Sequence, residues 1–294
     1  MFYRRKIILA LLELFGGELE KIRLQKLLFL FSQDQASPDY EFIPYKYGCY
    51  SYSANADLTT MSSKGFLSET SSSFIKLDAN SYLKSVKPDD KLKLHKIKRL
   101  YEDMDSDALM KHTYKNYPYW AINSIKASSI LTQNEFDNVI MQKVHSSKTI
   151  LFTIGYEGIS LEGYLNKLIT NGINLLVDVR NNPLSMKFGF SKSQLKRYVE
   201  SLGISYLHIP EVGIISEQRQ ELNTQADYDA LFKKYRKENL PNTKNSQEQI
   251  LALLKQHQRV ALTCFEANIC QCHRKHLAEA IVNLPNFNYE LKHI

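Results

Sequence analysis

Cysteine is scarce in this sequence of 294 residues, which has only four, at positions 49, 264, 270 and 272. Three of them lie within nine positions, so they do not form the spaced framework of a small secreted protein. Cysteines clustered in this way indicate metal or thiol chemistry. The scarcity of cysteine therefore excludes a fold held together by disulfides.

Long apolar runs are missing from the N-terminal segment, which reads MFYRRKIILALLELFGGELE. Its apolar stretch is too short to span a bilayer. Glu13, Glu18 and Glu20 follow where a signal peptide would have small residues and a cleavage site. We therefore expect no membrane partner and a cytoplasmic location.

Charge and length are those of an ordinary globular protein with a basic surface. Hydrophobic residues make up 44% and charged residues 23% of the chain, which argues against global disorder. The excess of 38 Lys and Arg over 31 Asp and Glu gives a net charge of +7, which favours acidic partners such as nucleic acid. A chain of this length predicts two domains, here 1–145 and 149–294.

The first domain is predicted to be mostly helical and to resemble a winged helix-turn-helix. Helices are expected at about Tyr3–Phe15, Glu20–Ser32 and Ser53–Ser63, followed by two short strands at 66–70 and 74–77. The aromatic segment 40–51 is expected to be irregular because of its Pro and Gly. The stretches LQKLLFLF, YKYGCYSYS and SSKGFL are similar to winged-helix-like N-terminal domains of bacterial phage-associated and antitoxin-type proteins.

A basic stretch in the first domain provides candidate nucleic-acid contacts. Between positions 84 and 99, seven basic residues face only Asp89 and Asp90. The predicted phosphate contacts are Lys84, Lys87, Lys91, Lys98 and Arg99. Two alternatives to nucleic-acid binding have the same composition. The stretch would be a solvated helix face, or the domain would be a winged helix that binds protein.

Strands and helices alternate in the second half, which predicts an α/β domain with a mainly parallel sheet. The expected strands are 149–154, 174–180, 204–209 and 259–265. Ligands of such sheets bind beyond the carboxyl ends of the strands. Chemically active residues follow each strand: Tyr156, Glu157, Asp178, Arg180, Glu211, Cys264, Glu266, Cys272, His273 and Arg274.

Four motifs of the second half resemble one known family. TIGYEG at 153–158, LLVDVRNNP at 175–183, YLHIPEVG at 206–213 and CFEA with CHR at 264–274 are similar to domain of unknown function 488. The resemblance covers about residues 149–294 and implies a fold and a pocket, with no settled reaction. The family's motif positions here are Gly155 and the chemically active residues named above.

We interpret these residues as one anion-binding pocket. Arg180 and Arg274 offer forked donors for phosphate, unless each forms a structural ion pair. Tyr156, Asp178 and Glu211 are assigned to substrate binding. Glu157 and Glu266 are candidate general acid and base, and Cys272 and His273 are the other candidate catalytic residues. Cys272 would alternatively be an inert buried thiol.

Metal and cofactor binding are not predicted. The possible zinc ligands are Cys264, Cys270, Cys272, His273 and His276, but Cys270 and Cys272 lack the usual CxxC spacing. The phosphatase loop in which five residues separate a Cys from an Arg is also absent. After the five residues that follow Cys264, the position that the Arg would occupy is Cys270.

These predictions combine into three functional hypotheses. The first is a nucleic-acid-associated protein whose α/β domain binds and acts on a phosphate-bearing substrate, either a nucleotide or DNA. The second is a non-enzymatic regulator or defence sensor that recognises a nucleotide or modified DNA, and the third is a thiol or metal protein. The pattern leaves the substrate, the reaction and the oligomeric state open.

Overall fold

The computed structural model describes residues 1–215, 218 and 222–294. The chain divides into two compact units, 1–143 and 144–294. Each unit has its own hydrophobic core. Within the described residues, every helix is too short or too polar to cross a bilayer.

The N-terminal unit is rich in helices whose apolar faces form one core. The first three helices are α1 (Tyr3–Leu14), α2 (Lys21–Gln33) and α3 (Tyr52–Ser63). They are followed by α4 (Pro88–Tyr101), α5 (Ser106–Asn116), α6 (Ala127–Ile130) and α7 (Gln133–Met141). The helix α2 is buried from Leu24 to Ser32 on all of its faces, so it forms the centre of this unit.

A small antiparallel sheet packs beside these helices. It consists of β1 (Glu18–Glu20), β4 (Leu67–Glu69) and β5 (Ser73–Lys76) in the order β1-β5-β4. The hairpin of β4 and β5 lies where two short strands were predicted. The additional strand β1 is only three residues long, which is below the length at which alternation can be recognised.

The aromatic segment of the N-terminal unit is regular, which corrects the prediction of an irregular one. A two-residue turn joins β2 (Ile43–Tyr45) to β3 (Gly48–Tyr50) in an antiparallel hairpin. Gly48 has a φ of +85°, and an added Cβ there would lie 2.3 Å from the ring of Tyr114. The Pro and Gly that suggested irregular structure are thus accommodated within a tight hairpin.

The C-terminal unit contains a five-stranded sheet within the described residues, and all of its neighbouring strands are parallel. Its strands are β6 (Ile150–Gly155), β7 (Leu175–Asp178), β8 (Ser205–His208), β9 (Arg259–Cys264) and β10 (Glu290–His293). This arrangement confirms the predicted α/β class. The edge strand β10 was not predicted, because its four residues are mostly polar.

Helices connect these strands. They are α8 (Leu161–Thr170), α9 (Lys192–Glu200), α10 (Gln225–Lys234), α11 (Leu240–Asn242), α12 (Lys244–His257) and α13 (His273–Val282). The strand order is β10-β6-β9-β7-β8. The strands β6 and β9 are neighbours at the centre of the sheet. From β6 the chain continues to β7 on one side of this pair, and from β9 it continues to β10 on the other side. Such a reversal marks the usual ligand-binding edge of an open parallel sheet.

Candidate functional site

The loops that follow β6 and β9 are tied together at this edge. The backbone N–H groups of Tyr156 and Glu157 both donate to the carbonyl oxygen of Phe265, at 3.0 and 2.8 Å. An added Cβ at Gly155 would lie 1.9 Å from the carbonyl oxygen of Glu266. Glycine is therefore required at Gly155, since the backbone of the second loop crosses over it.

Glu157 holds the same two loops together with its side chain. Its Oε2 accepts a hydrogen bond of 2.9 Å from the backbone N–H of Ala267, and the residue is otherwise exposed. A carboxylate in this position orders the loop after β9. Its role as a proton-transfer group stays a prediction.

Asp178, the last residue of β7, is fully buried and forms an ion pair with Arg180. One carboxylate oxygen accepts from the Nε of Arg180 at 2.8 Å, and the other accepts from Nη2. The second oxygen also accepts a hydrogen bond of 2.7 Å from the hydroxyl of Tyr206 on β8. The carboxylate is therefore saturated by donors of the protein itself.

The remaining donors of Arg180 connect the pair to the first loop. Its Nη1 donates to the hydroxyl of Tyr156 at 2.7 Å and to the carbonyl oxygen of Phe190 at 2.8 Å. Burial alone lowers the pKa of Arg180, but the hydrogen bonds and the charge of Asp178 outweigh burial and raise the pKa above its usual value. Arg180 is thus a permanently charged wall of the site, with four donor contacts already made inside the protein.

Tyr156 is fixed by its aromatic neighbours as well as by Arg180. Its ring stacks on Phe190 at a centroid distance of 4.2 Å and meets the ring of Phe265 edge-on at 5.3 Å. The rigid ring places the hydroxyl against the guanidinium. Tyr156 therefore positions Arg180 and forms part of the wall of the site.

A cluster of thiol, imidazole and carboxylate lies where β9 ends and α13 begins. The Sγ of Cys264 lies 3.2 Å from Oε2 of Glu266 and 3.7 Å from Nδ1 of His273. The Nε2 of His273 is 3.1 Å from the carbonyl oxygen of Val179, which can only accept. The proton of a neutral His273 therefore belongs on Nε2, and Nδ1 is the acceptor that faces the thiol.

Cys272 adjoins this cluster and caps the N-terminus of α13. Its side chain is fully buried, and its Sγ lies within 4.8 Å of the donor atoms of Cys264 and His273. Burial raises the pKa of Cys272 well above its usual value, and the adjacent Cys264 raises it further. A thiol with a raised pKa is a poor nucleophile, so the catalytic role of Cys272 stays a prediction without support from its surroundings.

Arg274, in the first turn of α13, serves the loop after β9. Its guanidinium is buried and donates to the carbonyl oxygens of Glu266 and Ala267. Its Nε is buried and, in the part of the chain that the structure describes, has no hydrogen-bond partner. Arg274 thus shapes the site from behind the loop.

Three predicted residues lie apart from these clusters. Glu211 is exposed on the short 3₁₀ turn Pro210–Val212 that follows β8. Cys270 is exposed, with its Sγ 4.0 Å from the Nζ of Lys275. His276 lies one turn along α13 and contacts Glu279 and Arg236.

An open cleft of about 480 Å³ is formed at the carboxyl edge of the sheet. Four of the predicted site residues line it: Tyr156, Arg180, Glu266 and His273. The other lining residues were missed: Asn181, Asn182, Leu184, Ser185, Ile214, Leu222, Tyr228 and Phe265. The motif VRNNP could have indicated Asn181 and Asn182, since both follow the strand directly, whereas no local signal places Tyr228 of α10 there.

A second cavity, of about 330 Å³, lies within the N-terminal unit. Its wall is mainly apolar and includes the aromatic rings of Tyr45, Tyr50 and Phe74. Lys26 of α2 also lines it, although this lysine is almost fully buried. The Nζ of Lys26 donates to the carbonyl oxygen of Cys49 at 3.1 Å.

Of the five predicted phosphate contacts, Lys84 and Lys87 precede α4, and the other three lie on it. Lys84, Lys87, Lys91 and Arg99 are exposed. Lys98 instead donates to the carbonyl oxygen of Leu14 at 2.7 Å and pairs with Glu102 at 3.3 Å. Lys87 lies over the ring of Tyr3, with its Nζ 4.9 Å from the ring centroid. Lys98 therefore connects α4 to α1. This hydrogen bond would compete with a contact between Lys98 and phosphate.

Comparison with known families identifies the C-terminal unit. The family described as domain of unknown function DUF488 matches residues 160–281. The C-terminal unit thus carries a DUF488 domain, which confirms the assignment made from its motifs. Tyr156 and Glu157 lie just before the matched range, and the N-terminal unit lies outside it. No curated protein matches the chain.

Proposed function

We propose that the C-terminal unit binds and acts on a phosphate-bearing substrate, a nucleotide or a nucleotide of DNA, in the cleft at the carboxyl edge of its sheet. The observation that carries this proposal is the composition of the cleft wall. The polar residues Asn181, Ser185 and Arg180 line the same cleft as the aromatic residues Phe265 and Tyr228. Polar donors suit phosphate and sugar, and aromatic faces suit a base.

Proton transfer is assigned to Glu266. Glu266 lines the cleft and is 7% exposed, so a bound substrate would meet it in a partly desolvated setting. His273 lines the same part of the cleft, with Nδ1 directed at Cys264. Glu266 would act as the general base or acid, and His273 would hold the neighbouring thiol in place.

Binding can be tested by calorimetric titration of the intact chain with nucleoside mono-, di- and triphosphates and with short DNA. We expect binding of at least one of these ligands. Phe265→Ala should weaken it roughly tenfold, because stacking contributes about 1–3 kcal/mol per base. The matched control is Glu200→Gln on α9, because Glu200 is exposed and its replacement should leave binding unchanged. A residue such as Leu253 is unsuitable as a control, because it packs against the core. Absence of binding to the whole panel would refute the proposal.

Catalysis is tested separately with Glu266→Gln. Once a bound ligand is known, its turnover should fall by about 10²–10⁴-fold in this variant while its affinity changes little. The contrary result, a bound ligand that the wild type never converts, would favour the sensor hypothesis. That alternative is favoured by the position of Glu157, whose carboxylate is engaged by Ala267 rather than lining the cleft beside Glu266.

The N-terminal unit is proposed to contact nucleic acid. Support comes from three helices followed by the hairpin of β4 and β5, which resembles a winged helix with the additional hairpin of β2 and β3 between α2 and α3. The exposed cations Lys84, Lys91 and Arg99 also support it. Replacing these three with Glu should strongly weaken the binding of duplex DNA in a mobility-shift assay and reduce the salt dependence of the binding that remains. The same change at the exposed Lys143 is the control. Equal loss in both variants, or no shift at any salt concentration in the wild type, would contradict this role.

A further inference from the structure

Three side chains of the C-terminal unit have the donor atoms and spacing of a metal centre. Cys264 ends β9, and Cys272 and His273 begin α13, so a single strand-loop-helix unit supplies all three. Their sulfur and imidazole nitrogen atoms lie within 4.8 Å of one another, and all three residues are buried. Of the five candidate zinc ligands in the sequence, these three form the cluster. The other two, Cys270 and His276, contact other side chains.

The distances match those expected around one zinc ion. Typical Zn–S and Zn–N bonds of about 2.3 and 2.0 Å in a tetrahedron place sulfur and nitrogen ligands about 3.5 Å apart. The Sγ of Cys264 and Nδ1 of His273 are 3.7 Å apart. The other two pairs lie within 4.8 Å, so a metal could be accommodated with shifts of about 1 Å or less.

His273 is also oriented as a metal-bound histidine is. Its Nε2 faces the carbonyl oxygen of Val179 at 3.1 Å, so Nε2 carries the proton and Nδ1 presents its lone pair to the cluster. A carbonyl behind the distal nitrogen is a common feature of metal sites, because it fixes both the tautomer and the ring orientation. The thiols thus face an imidazole that is already prepared for coordination.

The fourth position has two available occupants. Oε2 of Glu266 lies 3.2 Å from the Sγ of Cys264, within the range of neighbouring ligands. Glu266 and His273 also line the open cleft, so a water molecule or a substrate atom can reach the same position. The cleft provides the path by which an ion enters the buried cluster.

We propose that Cys264, Cys272 and His273 bind one zinc ion. Two thiolates and one imidazole select zinc over hard cations such as magnesium or calcium, which prefer oxygen ligands. On binding, each thiol releases its proton to solvent, and the two thiolates balance the charge of the ion. The zinc site shares Glu266 and His273 with the cleft described above, but its test requires neither a substrate nor turnover.

Metal content of the purified intact chain is the primary test. Protein purified without chelators and passed through gel filtration should contain about one zinc per chain. The variants Cys264→Ser, Cys272→Ser and His273→Gln should each bind zinc more than about 100-fold more weakly. The matched controls Cys270→Ser and His276→Gln should keep it, because their side chains lie outside the cluster.

Cobalt substitution gives a second readout that does not require the variants to fold. Reduced wild-type protein, stripped of metal with a chelator and titrated with cobalt, should develop sulfur-to-cobalt charge-transfer absorption, and zinc should displace it. Substoichiometric zinc together with no such absorption would overturn the proposal. So would a disulfide between Cys264 and Cys272 in the purified chain, or loss of zinc in Cys270→Ser as complete as in Cys272→Ser.

Discussion

Lys26 and Arg180 are two buried cations that line the walls of cavities, one in each unit, yet they have opposite surroundings. Arg180 faces both oxygens of Asp178, and this pairing raises its pKa in spite of burial. Lys26 instead donates to an uncharged group, the carbonyl oxygen of Cys49. Burial therefore lowers the pKa of Lys26, with Cys49 opposing that shift.

The difference separates two ways of keeping a charge inside a protein. The ion pair keeps Arg180 charged inside the protein, and the carboxylate of Asp178 balances that charge. Lys26 has no such partner and can lose its proton as the pH rises towards its usual pKa of 10.5. The two cavities should accordingly respond differently to substitution and to pH.

The largest expected effect comes from breaking the pair. Asp178→Asn leaves the guanidinium of Arg180 buried without its counter-charge, which should lower the free energy of unfolding by about 3–5 kcal/mol. Urea unfolding followed by far-UV circular dichroism measures this. Asp89→Asn is the control, because Asp89 forms an exposed pair with Lys93 and should cost less than about 0.5 kcal/mol. Equal effects of the two substitutions would show that the buried pair contributes no more than a surface pair.

A smaller effect is expected when a single donor to the pair is removed. Tyr206→Phe deletes the hydroxyl that donates to Asp178 and should cost about 1.5 kcal/mol, the lower end of the range for hydrogen bonds to charged groups. The control is Tyr289→Phe, because the ring of Tyr289 packs against Phe287. Chemical denaturation gives the free energy of unfolding of both variants. A cost for Tyr206→Phe no larger than that for Tyr289→Phe would show that Asp178 does not need its third donor.

The mildest change concerns Lys26 and appears as a dependence on pH. In the folded state the pKa of Lys26 lies below 10.5, so between these two values the unfolded chain binds the additional proton. Stability must therefore rise with pH in that window, by at most about 1.4 kcal/mol per pH unit. Lys26→Met lacks this contribution. The free energy of unfolding of Lys26→Met, relative to that of the wild type, should therefore fall as the pH rises.

Trp120 provides the readout for Lys26, because it is the only tryptophan of the chain and lies in the N-terminal unit. Unfolding followed by its fluorescence at several pH values gives the difference between wild type and variant. The exposed Lys64→Met should show a difference that is independent of pH. A flat difference for Lys26→Met as well would mean that Lys26 keeps its ordinary pKa in the folded protein.

The same two cations show how far the sequence predicts the structure. The helical periodicity of residues 20–32 predicts that Leu24, Leu27, Leu28 and Phe31 face inward. Lys26 is then on the face expected to be in solvent. Lys26 is buried because the hairpin of β2 and β3 and helix α5 cover that second face. Periodicity within one helix carries no information about how many neighbours pack around it.

In the C-terminal unit, alternation of strands and helices predicted the sheet and the edge at which polar groups gather. It did not predict which of those groups satisfy each other. Asp178 and Arg180 are two residues apart, and only the arrival of Tyr156 and Tyr206 from other strands decides that both side chains are saturated. The proposed zinc ligands Cys264 and His273 are nine residues apart, and their spacing along the chain does not predict that Sγ and Nδ1 lie 3.7 Å apart.

Gly155 has a consequence for the variation that this unit can tolerate. Its missing side chain is the space through which the chain after β9 passes, so any replacement collides with backbone, which cannot rotate away. Gly158, three residues later, has a φ of +75° with no neighbouring atom within 4 Å, a setting that Asn or Asp can adopt at modest cost. In a saturation library, Gly155 should be recovered almost unchanged, and Gly158 should be recovered as Gly, Asn or Asp.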